Sequence, residues 1–272
     1  MIPSRRSVAV STNKEFVSRK RPRGQGNVKW FAEAIGDNDP QGILLLFGAV
    51  TRTAWRLRFA QSQMRHDLVP SYWSHVALLE SRGARDWRLL EISLEPQRGF
   101  GDVPRQNAVQ RGVLSAYDDP EVVPNVAYLT FRPKAQSKEQ AQSKEQPGVS
   151  FDEAVAATQH QRQLADLTSG LLDWLGYAWG VGTKTNPLLT GSGMPSAVFA
   201  QTVYAIMGIE LTPGLATTSA CPEAIWQTAK WWHPFYASTA SRADGTLCGR
   251  YCIGHEIQIR EPGSRRAAPR RR

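Results

Sequence analysis

The order of elements along this 272-residue sequence predicts an α+β fold. Three observations carry that expectation. Strand-forming runs crowd the first half: Gly42–Val50, Ser71–Glu80 and Asn125–Phe131. Helical patterns crowd the second half, with two segments that open on Pro195 and Pro222. No strand–helix–strand unit repeats, which sets the pattern apart from a parallel α/β sheet.

Residues 1–26 are rich in Ser, Arg, Lys, Pro and Gly and read as a disordered basic tail. Asn27–Ile35 fits a short helix carrying Trp30 and Phe31, and the turn cluster Gly36–Gly42 follows it. Ile43–Val50 is the first clear strand. Thr51–Arg65 reads as a helix with Trp55 and Phe59 at helical spacing.

Ser71–Glu80 and Asp86–Ser93 then form an expected hairpin across Gly83. It carries His75 on one strand and Glu91 on the other. Pro96–Gly112 has the composition of a loop, and Val113–Tyr117 is too short to assign.

Asn125–Phe131 is a third strand. Residues 134–149 contain the tandem repeat Ala135–Gln140 and Ala141–Gln146, which reads as a polar insert. Ser150 and Glu153 have capping-box spacing, and the helix they start is expected to run to about Leu175 and stop at Gly176. Tyr177–Gly193 reads as a Gly-rich loop. The helix Pro195–Met207 shows Phe199, Val203 and Ile206 on one stripe. The helix after Pro222 carries Ile225, Trp226, Ala229 and Trp232. Thr246–Ile259 is a final strand, broken at Gly249 and Gly254. One domain over residues 27–259 follows, with an Arg-rich tail at 260–272.

The net charge of +9 resides in the ends. Seven Lys/Arg against one Glu fall in residues 1–24, and six Arg against one Glu in residues 260–272. The middle is therefore near neutral. Solvated tails are the simplest reading, with a weak anionic partner (nucleic acid or a membrane surface) or a scaffolding role as the alternative. No apolar leader follows the first arginines, and no apolar run approaches about 20 residues. These features, with three cysteines, lead to an expectation of a soluble chain in a reducing compartment, cytoplasmic or delivered by a route without a secretory signal.

The candidate chemistry lies in three pieces. They are Trp73-Ser-His75-Val-Ala-Leu, then Leu89-Leu-Glu91-Ile, then Pro195-Ser196-Ala-Val-Phe opening a helix that ends before Leu211-Thr-Pro213. In this order the sequence resembles the circularly permuted NlpC/P60 proteins, a papain-like group that includes lecithin:retinol acyltransferase relatives. The resemblance spans roughly residues 40–235. It implies a small antiparallel sheet or partial barrel packed on helices, with the His strand ahead of the nucleophile helix. It implies His75 as general base and Glu91 as the group that orients it, without cofactor or metal. Ser196 stands where the family has Cys. A thiolate is stabilised by a helix N-terminus and a neighbouring imidazolium, but a hydroxyl needs a working base.

The resemblance thus implies a hydrolase or acyltransferase acting on an amide or ester. The alternative is an inactive relative that binds a peptide, acyl or protein ligand. Glu80 is a rival orienter. Cys221, before Pro222 at a helix start, is an alternative nucleophile, although a structural thiol is the simpler reading. Cys248 and Cys252 with His255 have zinc-like spacing, but lack a fourth ligand and would share one strand face as core. The aromatic set at Trp226, Trp231, Trp232, Phe235 and Tyr236 reads as core, with an acyl-binding groove as the lesser reading.

Overall fold

Leu44–Gly48 (β2) lies inside the sheet, and all five of its residues are buried. A strand covered on both faces needs no polar alternation, and that is why its sequence is a plain apolar run. The computed structural model describes residues 12–36, 39–81, 87–94, 109–133, 149–160, 165–232 and 245–256. In it, β2 pairs antiparallel with His75–Ser81 (β3) on one side and Asn125–Pro133 (β6) on the other. β3 continues to Trp87–Glu91 (β4) and then to Gln110–Val113 (β5). On the far side β6 pairs with Gly245–Cys252 (β7), and β7 pairs in parallel with Phe16–Ser18 (β1). The seven strands run in the order β1-β7-β6-β2-β3-β4-β5.

Alternation along these strands makes two cores. Leu44, Leu46, Val76, Leu78, Leu90 and Leu129 face one side. Covering them are Phe151–His160 (α3), Ala165–Trp179 (α4), Pro195–Ile206 (α5) and Pro222–Gln227 (α6), through Phe151, Trp174, Phe199 and Ile225. Leu45, Phe47, Ala77, Leu79, Leu89 and Val126 face the other side, against Trp30 and Phe31 of Asn27–Ile35 (α1). Arg52–Ala60 (α2) is capped by the Thr51 hydroxyl and contributes Leu57 to the first core and Ala54 to the second. The fold is thus α+β, as expected, with one sheet against helices. Its seven strands exceed the small sheet that the sequence suggests.

The main correction concerns the N-terminal tail. Residues 12–26 are not a disordered arm, because β1 lies among them. Phe16 is fully buried and meets Trp226 edge-on at 5.3 Å. The Asn13 amide donates to the carbonyls of Ala229 and Leu247, at 2.9 and 3.0 Å. Pairing with β7 and contacts of Arg19 and Arg21 to the Glu33 and Pro124 carbonyls complete the anchoring, with too little apolar content for composition to register. Residues 1–11, 134–148 and 260–272 lie outside the described residues.

Other boundaries shift for local reasons. The helix expected over Thr51–Arg65 ends at Ala60, and a 3-10 turn covers Ser62–Met64. The strand expected from Ser71 begins at His75. Part of the expected loop, Gln110–Gly112, joins the sheet edge as β5, and Leu114–Tyr117 is a 3-10 turn. The stretch expected as a helix to Gly176 holds α3 and α4 among the described residues, and Gly176 sits inside α4 rather than ending it. Gly249 does not break β7. It lets β7 approach β6, since a Cβ there would lie 2.0 Å from the Tyr128 carbonyl.

Candidate functional site

β3 starts at His75 because the chain before it runs against the end of β2. A Cβ at Gly48 would sit 1.8 Å from the Tyr72 carbonyl, so this close approach requires glycine. His75 then pairs with Phe47 across the ladder. Its ring lies nearly parallel to Tyr117, with centroids 5.8 Å apart, and to Phe47 at 6.2 Å. Phe47 and Tyr117 stack at 4.1 Å.

Glu91 ends β4 with its side chain fully buried. Its Oε2 lies 2.6 Å from His75 Nε2 and accepts from the Tyr117 hydroxyl at 2.7 Å. A carboxylate only accepts, so the proton of this contact belongs on Nε2, which leaves Nδ1 as the basic nitrogen. Two donors on one oxygen offset much of the cost of burying the charge. The second oxygen, Oε1, is buried without a partner among the described residues. Gly112 on β5 makes room for it, since a Cβ there would lie 2.2 Å away.

Ser196 arrives on another element. Gly193 and Met194 donate to the carbonyls of Thr218 and Ala220, which fixes the entry to α5. Pro195 takes the first helical position, where its missing N–H costs nothing. The Met194 carbonyl accepts from Ala197 and Val198, both at 2.9 Å. Ser196 therefore sits in the first turn, where backbone N–H groups precede the intrahelical ladder and the helix dipole favours negative charge. It is 3% exposed.

His75 and Ser196 border one cavity of about 70 Å³, with Phe47, Ser74, Leu94 and Tyr117 among its walls. They reach it from opposite faces of the sheet. His75 shares the side of Phe47 and Ala77, whereas α5 packs on the side of Val76 and Leu78. The cavity lies where β2 and β4 end and β3 begins. No hydrogen bond joins the Ser196 hydroxyl to the His75 ring among the described residues.

The other candidates fall elsewhere. Glu80 is bound to Arg111 at 3.2 Å, so it does not orient His75. Cys221 precedes α6 as expected, but it is fully buried in the first core and does not line the cavity. Burial pushes its thiol up to about 12, against a smaller pull from the backbone amides of Ala224 and Glu223. A thiol so raised is a poor nucleophile. Cys248 contacts the Thr130 carbonyl at 3.6 Å, and Cys252 packs in the second core. Among the described residues no three His, Cys, Asp or Glu side chains gather as a metal site. His233, Phe235 and Tyr236 lie outside the described residues.

Tyr117 and Gly112 are the site residues that sequence reasoning missed. Neither carries a local signal, because both are defined by Glu91 across β4 and β5. No family model matches the chain, and no curated protein matches it. Among the described residues no helix is long and apolar enough to cross a membrane.

Proposed function

We propose that the chain is a papain-like protein of the permuted NlpC/P60 type that cleaves or transfers an acyl group at an amide or ester. The observation that supports this most directly is the 2.6 Å contact between His75 and the buried Glu91, beside a cavity that Ser196 also borders. Ser196 Oγ attacks the carbonyl carbon while its proton passes to His75 Nδ1. Glu91 and Tyr117 hold the ring and stabilise the imidazolium that forms. The Ser196 N–H, in the first turn of α5, faces the developing oxyanion; Pro195 has no N–H, and those of Ala197 and Val198 are taken by the Met194 carbonyl. The imidazolium then protonates the leaving amine or alcohol. Water, or a second acceptor, resolves the acyl-enzyme with His75 again as base. The ligand is a peptide or an acyl or lipid-like ester, and the terminal arginines offer weak contacts to an anionic partner, nucleic acid or a membrane surface.

A second reading is a binding protein of the same fold without turnover. What favours it is the burial of Ser196 and a cavity of about 70 Å³, far below the roughly 300 Å³ at which ligand pockets begin. One experiment separates the two. A fluorophosphonate probe is added to the full chain and the labelled peptide is mapped. Labelling at Ser196 that disappears in His75→Ala supports the enzyme. A folded chain that resists labelling at high probe concentration sinks it and leaves the binding protein.

A further inference from the structure

A groove of about 960 Å³ lies away from the His75 cavity, between the end of β7 and the segment after α6. Neither His75 nor Ser196 lines it. We propose that this groove binds a neutral oligosaccharide, stacked on Trp231 and Trp232. The inference stands apart from any catalytic role for Ser196.

Two adjacent tryptophans, each 40% exposed, form one wall. They sit on a π-helical turn, Thr228–Trp232, that continues α6. Such turns are uncommon and often mark functional sites. Behind them Tyr72, Trp226 and Tyr251 are locked edge to face, with Trp226 to Tyr251 at 4.9 Å and Tyr72 to Trp226 at 6.0 Å. The floor is therefore rigid and aromatic.

The charges decide which ligand fits. Arg65 is engaged by Asp67 at 2.7 Å and Glu223 at 3.5 Å. Lys230 donates to the Tyr251 hydroxyl and lies 4.5 Å from that ring's centre. Glu223 already accepts from Ser71 at 2.6 Å and Gln227 at 3.1 Å, and Glu256 accepts from Tyr72 at 2.8 Å. The groove wall carries two cations, Arg65 and Lys230, and two carboxyl groups, Glu223 and Glu256, so neither sign dominates and an ionic ligand gains little here. An alkyl chain would strip water from Arg65, Gln227, Lys230 and Glu256 and return no hydrogen bonds. A pyranose meets both demands. Its C–H face covers an indole, and its hydroxyls give and take hydrogen bonds along the polar wall. The volume lies within the range of small-molecule sites.

The test is calorimetry on the full chain with chitohexaose, cellohexaose and maltohexaose, and with decanoate and an uncharged apolar peptide for comparison. Saturable binding of at least one sugar is expected. Trp231→Ala and Trp232→Ala should each weaken it about tenfold, the loss of one stacking contact. Their unfolding midpoints should stay near that of the parent chain, because both rings are half exposed. His75→Ala should bind as the parent does, which keeps this result separate from the fate of the catalytic reading. The proposal is overturned if no sugar saturates the chain, if binding ignores both tryptophans, or if decanoate or the peptide alone saturates the groove.

Discussion

His75 Nε2 lies 2.6 Å from Glu91 Oε2, and the carboxylate that makes this contact has no exposed surface. A buried anion beside an imidazole holds the ring in one orientation and fixes which nitrogen keeps its proton. On the proposed function, Glu91→Gln should slow fluorophosphonate labelling of Ser196 by about 10²–10⁴, as expected for loss of the correct tautomer. Labelling at an unchanged rate in a folded variant would reduce Glu91 to a structural residue.

Tyr117 gives Glu91 a hydrogen bond and Phe47 a stacking face, and the two are separable. Tyr117→Phe removes the 2.7 Å bond to Glu91 and keeps the stack on Phe47. It should cost about 1–3 kcal/mol in urea unfolding, since a donor to a buried carboxylate is lost. Tyr117→Ala removes the stack as well and should cost more. Equal costs for the two variants would contradict this division.

Glu223 sets a pH dependence of stability. Burial raises its carboxyl above the ordinary value of 4.5, and hydrogen bonding to Ser71 and the charge of Arg65 only partly oppose it. The folded chain therefore keeps a proton at pH values where the unfolded chain has lost it. Unfolding free energy should fall as pH rises through the window that starts near 4.5. Glu223→Gln should flatten that slope. A slope equally steep in the variant would assign it to groups other than Glu223.

The three cysteines are buried and form no disulfide. An Ellman titration of the native chain should show no prompt reaction, and three equivalents should appear in denaturant. Fast reaction at Cys221 in the folded chain would restore it as a nucleophile.

Phe16 tests the corrected N-terminus. It is fully buried against Trp226 and Tyr251. Phe16→Ala should destabilise the chain by about 3–5 kcal/mol, as for a large core truncation. A loss below about 1 kcal/mol would mean that β1 is not anchored in solution.

Much of this was legible in the sequence where the signal is local. The apolar run of β2, the strand placing His75, the one ending at Glu91 and the Pro-started α5 all follow from neighbouring residues. What escaped depends on distant partners. Phe16 is one aromatic in a basic stretch, and only its packing partners reveal a strand. Gln110–Val113 has no apolar alternation to speak of, and edge pairing with β4 makes it β5. Gly176 reads as a helix stop, yet α4 continues through it to Trp179, which donates to the Leu94 carbonyl at 2.9 Å. The sheet faces from which His75 and Ser196 approach their cavity were equally out of reach, because strand alternation must first be tied to a helix layer.

The parallel contact between β1 and β7 has a consequence for biogenesis. Asn13 and Leu247, joined by a hydrogen bond from the Asn13 amide to the Leu247 carbonyl, are 234 positions apart. A nascent chain leaving the ribosome must carry β1 unpaired until β7, more than two hundred positions further on, has emerged. Loss of β7 would leave β1 unpaired and lay bare the long edge of β6, a template for aggregation.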